Sequence, residues 1–320
     1  MNHQQRVISR ACKPIVESLE QRRMLAVDIS GGFLNVTGTT GDDQIIFSLS
    51  ADGSNTLIID DNGVLYYFDM WQIAFDVRAV MVDGDAGSDL IQVDERNGKI
   101  RLSFFMTGGQ GDDTLIGGSG NDVLLGDDQM DYIRGGAGSD RIDGGDDYDT
   151  LDGGLGNDFL YGRGGYDSII GGSGNDMLFG HEGEDTLLGG AGNDYLDGGD
   201  DADILEGGTG FDTIHGGRGD DQIDGGPSGD FLFGEEGDDI IVGGTGHDQL
   251  FGGLGYDWLE GNDGNDSLDG GDNVDTLYGG RGADRFSIRR GDTLNEVMDY
   301  DRRQGDTVGP FKSKADVVRR

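Results

Sequence analysis

From Gly108 to Ser287 the chain repeats one nine-residue phrase twenty times without an insertion, opening GGQGDDTLI, GGSGNDVLL, GDDQMDYIR, GGAGSDRID and closing on GGRGADRFS. The first place of every nonapeptide is Gly, the sixth is Asp, and the eighth is Leu, Ile or Phe. A nine-residue unit with one apolar side chain cannot bury that side chain alone. It must stack on copies of itself, so the period excludes an ordinary globular core and demands a solenoid.

Glycine serves where the chain needs positive φ or close backbone approach, so the GGxG opening reads as a turn with exposed carbonyls. The last three places, such as Thr114-Leu115-Ile116, alternate out, in, out as a short strand. One nonapeptide is therefore half a coil and two close it. The expected fold is all-β: a parallel β-roll of about ten coils, each rising roughly 4.8 Å, with irregular β caps at both ends. Repeat n then lies over repeat n+2, and the sixth-place aspartates line up in two columns, one along each edge.

The pattern GGxGxDxUx resembles the RTX or hemolysin-type calcium-binding repeat, and the resemblance covers residues 108 to 287. Carboxylate oxygens and turn carbonyls are hard ligands that suit Ca²⁺ better than metals preferring thiolate or imidazole. The resemblance implies Ca²⁺ held between stacked turns. The implied metal-site residues are Asp113, Asp122, Asp131, Asp140, Asp149, Asp158, Asp167, Asp176, Asp185, Asp194, Asp203, Asp212, Asp221, Asp230, Asp239, Asp248, Asp257, Asp266, Asp275 and Asp284. Pairing each turn with its neighbour two repeats on allows about 18 sites at most. Some turns depart from the pattern and predict weakened or altered sites. The fourth place is Gln129, Asp147, Asp201, Ser228 or Asn273 in five repeats, and the second is Asp127, Arg163, His181, Glu235 or Asn262 in five, the repeat from Gly126 departing at both.

The formal charge of the 320-residue chain is −40, with 64 glycines and three prolines. Such a chain repels itself, nucleic acid and anionic lipid, while cations relieve the repulsion. Charge of this size with low apolar content ordinarily means disorder. The periodic apolar place turns that into order conditional on a cation. Cys12 is the only cysteine, which excludes an intrachain disulfide, and no run of 18 apolar residues forms a transmembrane segment.

Residues 1–27 read as a leader, with an export role implied by resemblance: Val16 to Ala26 (VESLEQRRMLA) is similar to the LEPR-XLL leader of bacterial surface and secreted proteins, with Gln-Arg-Arg where that motif has Pro-Arg. Residues 28–107 turn to β composition and are expected to form a cap with degenerate coils. Asp52-Gly53 and Asn62-Gly63 mark its turns. Two pieces echo the repeat, Gly38 to Ile46 with Asp43 and Gly84 to Gln92 with Asp89, but the step from Gly84 to Gly108 is 24 residues and breaks the register. Tyr66, Tyr67, Phe68 and Trp71 would form the aromatic floor of a separate ligand-binding domain or, in the plainer reading, part of the core. Residues 288–320 read as a C-terminal cap and tail, similar over Ile288 to Tyr300 and then Gly305 to Val308 to the strand pair that closes many RTX arrays. Their basic end, Lys312 to Arg320, differs from the acidic and apolar terminus that often accompanies type I secretion.

No catalytic set is legible. His181-Glu182-Gly183-Glu184-Asp185 lacks the second histidine of HExxH, Gly117-Gly118-Ser119-Gly120-Asn121 lacks the last glycine of GxSxG, and no phosphate-cradling GxxxxGK[ST] is present. The chain is therefore not expected to be an enzyme. Outward places of the even-numbered repeats carry Phe159, Tyr161, Met177, Phe179, Tyr195, Phe231, Phe233 and Phe251, a stripe suited to self-association or to a cell-surface polymer. The expected function is calcium-ion binding coupled to folding of a secreted or cell-surface structural or adhesive protein. The alternative is the non-catalytic calcium-binding portion of a secreted enzyme or toxin system.

Overall fold

The structure, a computed structural model, describes residues 26–30, 32–70, 77–287 and 296–309. Residues 1–25 of the expected leader, Trp71 and the ends of the C-terminal segment lie outside them, while Ala26 and Val27 begin the first strand. The chain divides into two compact units, Met1–Gly145 and Asp146–Arg320.

In the first unit the strands are β1 Ala26–Ser30, β2 Phe33–Thr37, β3 Gln44–Leu49, β4 Thr56–Asp61, β5 Val64–Asp69, β6 Ala79–Asp83, β7 Leu90–Asp94, β8 Ser103–Gln110, β9 Thr114–Gly118, β10 Val123–Asp128, β11 Tyr132–Ala137 and β12 Arg141–Asp146. They form two sheets, ordered β1-β2-β6-β8-β10-β12 and β11-β9-β7-β3-β4-β5. The pairs β2–β6–β8 and β3–β7–β9 are parallel, as in a roll. At the outer edges β1 runs antiparallel to β2, and β3, β4 and β5 form an antiparallel meander. The turn from β4 to β5 is Asn62-Gly63, whose φ values of 47° and 87° match the two positive φ angles that a two-residue type I′ hairpin demands.

The region before the regular repeats is thus already rolled, with its additional residues diverted into the meander and into the loop between β7 and β8. The aromatics of β5 are not core. On β5, Tyr67 is 51% exposed and Tyr66 and Phe68 are only partly covered, because an edge strand has no coil beyond it.

In the second unit six-residue strands follow one another every nine residues from β13 (Thr150–Leu155) to β22 (Phe231–Glu236). Each pairs in parallel with the strand 18 residues on, Thr150 with Ser168 and Met177 with Tyr195. The unit closes on Thr276–Tyr278 paired with Glu296–Val297, and on Arg285–Ser287 paired with Thr307–Gly309. Strands are longer than the three residues read from the sequence. They run on through the first three places of the next repeat, where the glycines remain extended enough to continue the ladder.

The eighth-place side chains, from Leu115 to Phe286, are no more than 3% exposed and fill the roll. Each contributes about 1.5–3 kcal/mol of apolar burial. Around Phe47 and Phe104 the roll is wide enough for an edge-to-face pair, with ring centroids 5.1 Å apart.

Candidate metal centre

The fourth place turns the chain toward the aspartate, and where it is glycine the backbone of the coil before lies close. Gly174 has φ of 137°, and a Cβ there would land on the Gly156 carbonyl oxygen of the coil before. The sixth-place aspartate follows, and all twenty are buried, none more than 4% exposed.

One carboxylate oxygen of each is used to stack the turns. The main-chain N–H of Asp113 donates to Oδ1 of Asp131 at 2.8 Å, and that of Asp122 to Oδ1 of Asp140 at 2.7 Å. The second unit repeats the bond from Asp149 to Asp167 and from Asp158 to Asp176, both 2.8 Å, on to Asp266 and Asp284 at 3.0 Å.

In Asp113, Asp122, Asp167, Asp176, Asp185, Asp194, Asp203, Asp212, Asp221, Asp230, Asp239, Asp248, Asp257, Asp266 and Asp284, Oδ2 is buried without a hydrogen-bond partner. A Cβ built on first-place Gly171 would be 2.7 Å from both Asp176 Oδ2 and the Gly189 carbonyl oxygen. The carboxylate therefore shares a small space with a carbonyl oxygen from the next coil. No proton donor enters that space.

Burial accordingly pushes these carboxyls up, Asp113, Asp122, Asp167 and Asp239 to about 6, Asp131, Asp140, Asp185, Asp194, Asp221, Asp230, Asp257 and Asp266 to about 7, and Asp203 to about 8. A row of buried anionic oxygens facing carbonyls is costly unless a cation joins them, and hard oxygens of this kind fit a Ca²⁺ ion. Among the described residues no three His, Cys, Asp or Glu side chains converge as a metal-holding group, so a cation here draws on main-chain carbonyls as well.

The structure also brings in carboxylates that the sequence left out of the columns. Asp43 N–H donates to Asp89 Oδ1 and Asp89 N–H to Asp113 Oδ1, both at 2.7 Å, while Asp284 N–H donates to Asp306 Oδ1 at 3.2 Å. The outermost carboxylates differ from those between them. Asp43 Oδ2 accepts from Thr39 N–H and Asp306 Oδ2 from Asp301 N–H, both at 2.6 Å. Beside the first even turn, Glu95 accepts from Ile100 N–H at 2.8 Å and from the Ser119 hydroxyl at 2.6 Å. Amides and a hydroxyl thus satisfy the end carboxylates.

All ten departures from glycine keep the glycine backbone. Asp127, Gln129, Asp147, Arg163, His181, Asp201, Ser228, Glu235, Asn262 and Asn273 have φ between 68° and 95°. Each costs about 1–2 kcal/mol of left-handed strain, yet the turn retains its shape. In the Ser228 repeat, Asp230 still accepts from Asp212 N–H at 2.8 Å.

The even-face aromatics form ladders. Tyr161 stacks on Phe179 at 5.1 Å, His215 on Phe233 at 4.6 Å and Phe233 on Phe251 at 4.9 Å, with planes within 11° of parallel. Ring faces are covered by neighbouring rings, whereas Phe159 and Phe231 remain 43% exposed.

An all-β parallel β-roll with stacked glycine turns and columns of buried carboxylate oxygens defines a class of cation-binding solenoid. A family model for the RTX calcium-binding nonapeptide repeat, four copies long, matches in overlapping blocks that run from residues 107–142 to 252–286. Together the blocks span more than half of the chain, and the chain belongs to that family of calcium-binding repeats. Among curated proteins none matches the chain significantly.

Proposed function

We propose that the sixth-place aspartates from Asp113 to Asp284 are the calcium ligands, each offering Oδ2 together with glycine-turn carbonyls, and that ion binding is coupled to folding. The observation that carries this reading is the repeated buried Oδ2 with no donor. Bound calcium would supply charge compensation for these buried oxygens. At the low free calcium of a cytosol the acidic columns would repel. At the roughly 10⁻⁴–10⁻³ M typical of extracellular modules they would fill, so that the chain sets after export.

In this reading the protein is secreted or attached to a cell surface and serves as a structural or adhesive element. Residues 28–107 and 288–320 act as caps, and the antiparallel strands at the outer edges of the first unit favour that role. Exposed Phe159 and Phe231 offer a contact for a second copy or a surface polymer. The non-catalytic calcium-binding portion of an enzyme or toxin system is the second reading, and co-purification with a catalytic partner would support it.

The test is a calcium titration of the full chain followed by far-UV circular dichroism, with magnesium as control and ions counted by equilibrium dialysis. A steep coil-to-β transition at submillimolar to millimolar calcium is expected. A β signal already complete in chelator, with few ions bound, would remove the coupling.

A further inference from the structure

The echo of the repeat at Gly84 to Asp89 lies 24 residues from its successor and outside the matched repeats, yet it reproduces the turn feature by feature. Asp85 and Gly87, at the second and fourth places, have φ of 77° and 136°. Ala86 bridges to Gln110 in parallel, Gly87 N–H donates to the Gln110 carbonyl at 2.7 Å, and Gln110 N–H donates back to the Asp85 carbonyl at 3.2 Å. Ser88 N–H donates to Asp42 Oδ1 at 3.1 Å, as Asn175 N–H does to Asn157 Oδ1 at 3.0 Å in the regular array. The surplus residues of this long coil leave between β7 and β8 and never enter the turn.

Asp89 itself is 3% exposed. Its Oδ1 accepts from Asp43 N–H, and its Oδ2 is buried with no hydrogen-bond partner. A Cβ on Gly84 would fall against both Asp89 Oδ2 and the Gly108 carbonyl oxygen, the same kind of pair that flanks first-place glycines such as Gly171 and Gly189 in the array. One coil further out the arrangement changes. Asp43 Oδ2 is taken by Thr39 N–H, and its Oδ1 accepts from Asn62 Nδ2 at 3.1 Å.

We infer that Asp89 is a further divalent-cation ligand, a calcium site in the non-repeat region built from Asp89 Oδ2 and the turn carbonyl of Gly108, and that the odd column of ions stops there because Asp43 is closed by the chain's own amides. The inference rests on the reading of the sixth-place aspartates as calcium ligands. It makes residues 28–107 a calcium-loaded part of the roll and more than a passive cover. A ligand needs a free oxygen, and along this edge the last one belongs to Asp89.

The experiment is native mass spectrometry of the full chain at saturating calcium, comparing wild type, D89N and D43N, with β content of each variant followed by circular dichroism. Asparagine keeps the Oδ1 acceptor and turns the second oxygen into a donor, so the stack survives while the cation ligand is lost. D89N is expected to carry one calcium fewer than wild type with its β signal retained, and D43N the wild-type number. A wild-type count in D89N overturns the inference, and so does an equal loss in D43N. If D89N loses its β signal, D89S is counted in its place, with the same two outcomes deciding. Wild type that binds no calcium would instead refute the assignment of the repeat aspartates, a result distinct from an unchanged count in D89N.

Discussion

The main-chain N–H of Asp167 donates to Oδ1 of Asp185 at 2.8 Å, and Asp185 Oδ2, a bond length away on the same carboxyl carbon, has no donor at all. One carboxylate thus joins two tasks, holding a coil in register with one oxygen and facing a carbonyl-lined space with the other.

The two tasks separate by mutation. D185N keeps the acceptor and loses the charge, so it should cost about 1.4 kcal/mol at calcium tenfold above the site's dissociation constant. D185A also strands the Asp167 amide and should cost about 1.5–3 kcal/mol more. Denaturant melts in calcium measure the difference, and equal losses for both variants would contradict the division.

Glycine is required at some places of the repeat and incidental at others. G174A places a Cβ on the Gly156 carbonyl oxygen at positive φ, and should lower stability by more than about 2 kcal/mol. Gly164 has nothing within 4 Å of the site of a Cβ, so G164A should stay within about 0.5 kcal/mol of wild type. Thermal melts in saturating calcium read both.

Acid should act in opposite directions with and without calcium. Burial raises the folded carboxyls from 3.8 to about 6–8, so the protonated form favours the calcium-free roll. That stabilisation is complete below about pH 4 and is lost as pH rises through the folded values. Calcium-free protein should therefore gain β signal when taken from pH 8 to pH 5.5. At fixed submillimolar calcium it should lose signal, because protons displace the ion. Circular dichroism at the two pH values, each with chelator or calcium, checks this, and a loss of signal on acidification in chelator would count against buried, uncompensated carboxylates.

The aromatic ladder and the exposed rings make separable demands. Removing a ladder ring, as in F233T, should destabilise by about 0.5–1.5 kcal/mol beyond its burial, because two stacked partners lose a face. Replacing exposed Phe159 and Phe231 with threonine should leave stability close to wild type and lower the mass of any calcium-loaded oligomer in light scattering. An unchanged mass would end the reading of the even face as a self-contact.

Much of the fold follows from periodicity alone. The eighth-place side chains are buried because a period of nine with a two-residue alternation puts them on one face of every strand. The pairing of repeat n with n+2 followed from two strands per coil. The Asp89 turn was harder to place: its sequence echoed the repeat, but a 24-residue step says nothing about where the surplus residues go, and they leave at a loop far from the turn. Nor does any spacing reveal that the rings of Tyr161 and Phe179 meet face to face, since that depends on side-chain angles set by the neighbouring coils.

The sequence by itself determined that the chain must be a solenoid, where its apolar line runs and which carboxylates fall on its edges, because these follow from residue type at a fixed period. The tertiary structure alone decided which oxygens are left over. Asp43, Asp89 and Asp113 are the same residue in similar turns, yet Thr39 closes the second oxygen of Asp43, while those of Asp89 and Asp113 remain without a donor. Whether a carboxylate is a cap or a candidate ligand depends on which amides reach it, and only the packed coils bring those amides into range.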